Sequence, residues 1–248
     1  MSKPQDGFIS RFLNRPISSR ITRVLLRFPI QPNACTLAIF VLPVIASMFL
    51  MRGDYVSILI GAAIFQAFSI LDGCDGEIAR AKNLESKFGD RLDNFCDFLA
   101  SLLYVLALGL GLHHPSEGII CAALIIINEW LLRYSTGGMW ADSSALNECF
   151  YERHRGMIEH SGLIDLGERF VWWLFQLTKR DMALFVFFIL ALVGQADWIL
   201  YLWTIVAGAS VVLSAIAAVR FGVANGEVAV DEPGYDVGPG QEITSDLT

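Results

Sequence analysis

Residues 72–97 contain a group of carboxylates whose spacing suits divalent metal binding. Asp72 and Asp75 lie three residues apart, and Asp93 and Asp97 lie four apart, so each pair shares one face of a helix. If the two helices are antiparallel neighbours, all four carboxylates meet and must be protonated or held by a cation. Because the candidate ligands are oxygen atoms, Mg²⁺ or Mn²⁺ is favoured over zinc. Four shared aspartates could hold two such ions, the usual arrangement for phosphoryl displacement.

Small residues and one arginine accompany these carboxylates. Gly76 and Ala79 share the face of Asp72 and Asp75, where larger side chains would block a flat ligand. Gly89 leaves a corresponding gap on the second helix. Arg80 can bind a phosphate through two hydrogen bonds. The pattern therefore predicts a site for a metal-bound diphosphate that carries a nucleotide or a similar head group.

We expect these residues to lie on membrane helices. Hydrophobic residues make up 54% of the 248 residues, and several apolar runs are long enough to cross a bilayer. We expect an all-α membrane protein with six transmembrane helices, of which the second and third extend as helix through the acidic segment. The six predicted spans are Ala34–Met51, Tyr55–Leu71, Asn94–Leu112, Gly118–Leu132, Met182–Gly194 and Trp198–Val219.

The distribution of basic residues predicts the orientation. With six spans, Arg52 is alone on one side of the membrane, and the other 17 Lys and Arg lie on the opposite side. Because Lys and Arg favour the cytoplasm, both termini and the acidic hairpin are expected there, in a multi-pass protein of a prokaryotic cell membrane. Nucleic-acid binding has no support beyond scattered arginines.

Two further segments flank the predicted membrane domain, which covers residues 31–221. Residues 1–30 mix apolar residues with Arg at helical spacing, which favours an amphipathic helix in the membrane interface over a helix packed in a soluble domain. Residues 222–248 hold six acids and no Lys or Arg, and the Gly- and Pro-rich composition predicts a disordered tail.

The acidic segment resembles the signature of the CDP-alcohol phosphotransferases, also named CDP-alcohol phosphatidyltransferases. All eight fixed positions of that signature match, namely Asp72, Asp75, Gly76, Ala79, Arg80, Gly89, Asp93 and Asp97. The resemblance is weaker at the entry to the first span, where Gln31 replaces the usual Thr before Pro32 and Asn33.

The resemblance implies an enzyme that joins a CDP-linked alcohol to an acceptor hydroxyl, releases CMP and works as a homodimer with two metal ions. Asp72, Asp75 and Asp93 would bind one ion, and Asp72, Asp93 and Asp97 the other. Asp97 would also accept the proton of the attacking hydroxyl. The remaining motif residues would contact the CDP part, together with Ser86 and with Asn33 and Thr36 at the edge of the donor pocket.

The donor and acceptor stay open on sequence alone. CDP-diacylglycerol, CDP-archaeol and a soluble CDP-polyol are all possible donors. The N-terminal segment resembles, weakly, that of members that use inositol phosphates. An acceptor phosphate needs nearby cations, for which the candidates are Arg133, Arg153, Arg155 and Arg180.

Two other functions are compatible with membrane-bound aspartates. A membrane prenyltransferase also uses Asp-rich motifs and Mg²⁺, but it needs a second Asp-rich cluster, and Asp142, Asp165 and Asp181 are isolated. A divalent-cation transporter would place polar residues across the bilayer, whereas these aspartates gather at one end of the predicted spans. Both alternatives therefore explain less of the sequence.

Overall fold

The computed structural model describes residues 9–135 and 180–227, which are helical apart from short connections. A π-helical turn, Ser10–Asn14, leads directly into the first α-helix. The helices are α1 (Arg15–Leu25), α2 (Pro32–Leu50), α3 (Tyr55–Leu71), α4 (Gly73–Lys82), α5 (Lys87–Gly111), α6 (Pro115–Ser135), α7 (Arg180–Leu192) and α8 (Asp197–Glu227).

Four stretches of helix in the described ranges are long and apolar enough to cross a membrane. They are Pro32–Leu50, Tyr55–Lys82, Lys87–Gly111 and Asp197–Ile216. At 1.5 Å per residue, the 13 residues of α7 reach about 20 Å, which is short of a hydrocarbon layer of about 30 Å. The all-helical membrane fold is thus present, while six complete spans remain a prediction.

Aromatic side chains join four of these helices at the centre of the bundle. Tyr104 of α5 is almost fully buried, and its ring lies 4.5 Å from Phe65 of α3, edge to face. The Trp203 ring of α8 lies 5.4 Å from Tyr104 and 5.1 Å from Phe187 of α7, measured between centroids. Such ring pairs add to the burial of apolar surface and fix how these helices pack.

Glycines allow helices to touch at the end of the bundle away from the aspartates. A Cβ atom on Gly111 would lie only 2.0 Å from the carbonyl oxygen of Leu50, so α5 and the end of α2 are in backbone contact. Gly109 and Gly118 meet in the same way between α5 and α6. Contacts of this kind are typical of membrane helices, where close approach replaces the hydrophobic driving force.

The N-terminal helix α1 packs against α4. Ile21 and Leu25 of α1 contact a small buried cluster formed by Cys35, Cys74 and Ile78. Phe12, Val24 and Phe28 are more than half exposed, so other apolar positions of this segment stay available to a lipid surface. A packed face and an exposed apolar face are therefore both present, whereas the sequence predicted an interfacial helix alone.

Candidate active site

The two halves of the acidic segment form a helical hairpin. Asp72 lies where α3 meets α4 and keeps helical dihedral angles (φ −48°, ψ −37°), so the two helices are nearly continuous. Asn83 ends α4 in the left-handed conformation (φ 54°), which asparagine tolerates better than most residues. Ser86 then caps α5, because its side chain accepts a hydrogen bond from the Gly89 amide at 3.1 Å. This turn brings α5 back beside α4.

The hairpin brings three of the four predicted metal ligands together. One carboxylate oxygen from each of Asp72, Asp93 and Asp97 lies within 4.8 Å of the other two. All three residues are partly buried, and the Oδ1 atoms of Asp93 and Asp97 are shielded from solvent. Oxygen ligands of Mg²⁺ lie about 2.0–2.1 Å from the ion and thus at most about 4.2 Å apart. The three oxygen donors thus lie at a spacing that suits a hard divalent cation.

Asp75 lies outside this group of three. It is buried, and its Oδ2 atom accepts a short hydrogen bond from the Thr36 hydroxyl, while Oδ1 accepts one from the Gly76 amide at 2.6 Å. Thr36 lies near the start of α2, so this bond joins α2 to α4. The structure thus places Asp75 on the same helical segment as Asp72 but in a separate contact, and its role as a metal ligand stays a prediction.

The start of α2 also meets the start of α5. A Cβ atom on Gly89 would lie 3.1 Å from Asn33 Oδ1 and 3.2 Å from Ser86 Oγ. Three residues that the resemblance assigns to the CDP part are therefore neighbours in space, although Asn33 precedes the other two by more than 50 residues. Any larger side chain at Gly89 would crowd this corner.

Arg80 lies over Gly76 on α4. The guanidinium Nη1 atom is 3.4 Å from the position of a Cβ atom on Gly76, and both residues are partly buried, as is Ala79. A side chain at position 76 would contact the arginine. The predicted phosphate-binding arginine and the predicted gap are thus adjacent.

Glu77, two residues after Asp75 on α4, has several partners. Its Oε1 atom accepts hydrogen bonds from Ser18 Oγ at 3.0 Å and Ser19 Oγ at 3.2 Å, and lies 3.4 Å from Arg15 Nη1. All three partners belong to α1, which is about 60 residues earlier in the chain. Two features of the sequence could have indicated this contact. Glu77 lies on the face of its helix away from Asp75, and the amphipathic N-terminal helix carries an Arg and two Ser close together.

The predicted acceptor-binding arginines are only partly described. Arg133 donates through Nε to Glu129 Oε1 at 2.8 Å, and its Nη2 atom lies 2.7 Å from the same oxygen, so its charge is balanced within α6. Arg180 is the first residue of α7. Arg153 and Arg155 lie outside the described residues. The role of these four arginines in binding an acceptor phosphate therefore stays a prediction.

A model of a known protein family matches the part of the chain that contains this hairpin. Residues 30–152, about half of the chain, match the family model described as CDP-alcohol phosphatidyltransferase. The match begins just before α2 and includes every aspartate of the site.

Several curated proteins are similar to the chain. A bifunctional IPC transferase and DIPP synthase of Aquifex aeolicus is 30% identical over 82% of this chain and 41% of its own length. The protein of the same name from Thermococcus kodakarensis is 33% identical over 53% of this chain and 29% of its own. An archaetidylinositol phosphate synthase of Pyrococcus horikoshii is 36% identical over 36% of this chain and 47% of its own. The chain thus spans less than half of the length of each of these relatives.

Proposed function

We propose that this chain, which belongs to the CDP-alcohol phosphatidyltransferase family, transfers the substituted phosphate of a CDP-linked alcohol to an acceptor hydroxyl and releases CMP. The observation that carries the proposal is the approach of Asp72, Asp93 and Asp97 to within 4.8 Å on the matched helical hairpin. Nearby, Arg80 and the corner formed by Asn33, Ser86 and Gly89 supply the polar groups and the gaps that a nucleotide diphosphate requires.

The reaction is a displacement at the β-phosphorus of the donor. The acceptor oxygen forms a bond to this phosphorus, the bond from the phosphorus to the oxygen of CMP breaks, and CMP leaves with the electron pair. Asp97 accepts the proton of the attacking hydroxyl, because a carboxylate beside that oxygen can act as a general base. Arg80 holds the negative charge of the diphosphate in place.

Two divalent cations, Mg²⁺ or Mn²⁺, would be held by Asp72, Asp75, Asp93 and Asp97. When bound, they neutralise the charge of the diphosphate and of departing CMP. Asp72, Asp93 and Asp97 lie close enough for one ion. For Asp75 to join them, its carboxylate would have to turn from Thr36, to which it is now bonded.

We favour an inositol phosphate or a similar polyol phosphate as the acceptor. The support is the name of the Pyrococcus horikoshii relative, an archaetidylinositol phosphate synthase. The acceptor phosphate requires a cation, and the four arginines Arg133, Arg153, Arg155 and Arg180 are proposed for this role. For Arg133, binding would compete with the ion pair to Glu129.

The surroundings of the site belong to the same proposal. Residues 31–221 form a six-span membrane domain, with residues 1–30 in the membrane interface and residues 222–248 as an acidic tail. The termini and the hairpin face the cytoplasm of a prokaryotic cell, and the enzyme is a homodimer. This position lets a soluble nucleotide head group and a lipid tail reach one cavity.

The proposal is tested by measuring CMP release from the purified protein in detergent with Mn²⁺ or Mg²⁺. CDP-diacylglycerol, CDP-archaeol and CDP-inositol are each combined with inositol, inositol phosphate, glycerol phosphate and serine. We expect CMP release with one of the donors when a polyol phosphate is the acceptor, and no CMP release when the metal is chelated. A different result would support a transporter instead: the protein carries cations across vesicle membranes whether or not a CDP-alcohol is present, and no donor and acceptor pair releases CMP.

A further inference from the structure

We infer that Glu77 is a positioning residue of the metal site, which fixes α4 against the N-terminal helix α1. The inference rests on the proposed function, because it concerns the affinity of the aspartates for a divalent cation. Glu77 itself does not point toward those aspartates. Two residues along a helix are about 200° apart, so Glu77 lies on nearly the opposite face of α4 from Asp75.

The contacts of Glu77 satisfy its charge on the α1 side. Its side chain is 11% exposed and that of Arg15 is 17% exposed, so the pair is shielded from solvent. Two serine hydroxyls, from Ser18 and Ser19, donate to the same carboxylate oxygen as the arginine. Hydrogen bonds to a charged group are stronger than neutral ones, and this set leaves Glu77 bound to α1 and out of the competition for the cation.

Further contacts attach the same segment on both sides of Asp72. Asn14 is buried, and its Nδ2 atom donates to the carbonyl oxygen of Ser69 at 3.3 Å and to Ser69 Oγ at 3.2 Å. The Cys74 thiol lies 3.7 Å from the Ser18 carbonyl oxygen. The N-terminal segment thus holds the turn of helix before Asp72, the residues after it, and Glu77 one turn later.

Gly73 shows how closely the arginine approaches this helix. A Cβ atom on Gly73 would lie 2.8 Å from Arg15 Nη1. The guanidinium therefore passes beside the residue next to Asp72, and only glycine leaves it this space.

The consequence for metal binding follows from the geometry of a helix. Side chains end about 5–6 Å from the helix axis, so a rotation of α4 by about 20° moves a carboxylate by about 2 Å. That distance equals a whole Mg²⁺–oxygen bond of about 2.0–2.1 Å. Contacts that prevent this rotation therefore determine how well Asp72 faces the aspartates of α5, although these contacts lie on the other side of α4.

The test is a titration of the purified full chain with Mn²⁺ alone, in which the electron paramagnetic resonance signal reports free Mn²⁺. Glu77→Ala should raise the Kd for Mn²⁺ about 10-fold, the lower end of what loss of an outer-shell partner costs. Glu77→Gln keeps an oxygen that accepts hydrogen bonds from both serines, so we expect it to raise the Kd for Mn²⁺ by a smaller factor. The matched control is Glu85→Ala, which removes one carboxylate from an exposed position of the same hairpin.

Gly73→Ala separates positioning from stability. The new methyl group displaces the guanidinium of Arg15, yet alanine favours a helix more than glycine does. We expect weaker Mn²⁺ binding without a lower midpoint of thermal unfolding. This variant also keeps the inference testable if Glu77→Ala does not fold.

Two results would overturn the inference in distinguishable ways. If the unmodified chain binds Mn²⁺ but Glu77→Ala and Gly73→Ala bind it equally well, Glu77 has only a structural role and the proposed function stands. If the unmodified chain binds no Mn²⁺ and releases no CMP, the proposed function fails, and the inference fails with it.

Discussion

At the scale of single residues, the hydrogen bond between Thr36 and Asp75 joins two helices at the site. The sequence predicts that both residues belong to the site, because both belong to the motif or its entry segment. It does not predict that they contact each other, since they are 39 positions apart and the pairing depends on how α2 crosses α4. The motif therefore predicts that Thr36 and Asp75 belong to the site, whereas tertiary packing determines that they bond to each other.

The Thr36→Val variant tests this contact. Valine keeps the shape of threonine but leaves the buried Asp75 carboxyl without one donor, which costs about 1–3 kcal/mol of folding free energy. We expect a lower midpoint of thermal unfolding in detergent. Thr36→Ser retains the hydroxyl and should resemble the unmodified chain; an equal loss in both variants would show that the methyl group matters instead.

At the scale of helices, the glycines at the far end of the bundle hold α5 against its neighbours. Gly111→Ala would place a methyl group 2.0 Å from the backbone oxygen of Leu50, which has no flexible end that could move aside. We expect this variant to lower the unfolding midpoint strongly or to prevent folding. Gly208→Ala is the matched control, since its Cβ atom would meet only Leu124 at 4.0 Å. If both alanines were tolerated equally, the close contact between α2 and α5 would be wrong.

Helix positions could be predicted better than helix contacts. Apolar runs and the motif spacing predicted α2, α3 and α5 and the continuation of helix through the acidic segment. The contact between α1 and α4 could not be predicted, because amphipathic periodicity is the same for a helix on a lipid surface and a helix against protein. The role of Glu77 was missed for this reason, because its partners lie on α1 and the sequence does not show that α1 packs against α4.

At the scale of the whole molecule, the distribution of basic residues predicts which end of the bundle faces the cytoplasm. Introduced cysteines test this orientation in a chain whose own five cysteines are replaced. A cysteine at Glu85, in the turn of the acidic hairpin, should react with a membrane-impermeant thiol reagent only after the cells are permeabilised. One at His114, between α5 and α6, should react in cells with an intact inner membrane. The reverse pattern would place the site outside the cytoplasm.

The whole molecule also decides what the aspartates can do, because membrane helices hold them at one end of an apolar bundle. The family match covers the hairpin, in which the structure groups three of the four motif aspartates and bonds the fourth to Thr36. The central claim is that this arrangement supports transfer from a CDP-linked alcohol.

The most direct measurement compares CMP release by Asp97→Asn and Asp90→Asn under identical Mn²⁺ concentrations. Both variants remove one carboxylate from the first turns of α5, but Asp90 is exposed and outside the motif. We predict that Asp97→Asn loses about 10²–10⁴-fold in rate, the contribution of a general base, while Asp90→Asn stays close to the unmodified chain. Full activity of Asp97→Asn, with the protein folded and the metal bound, would contradict the account.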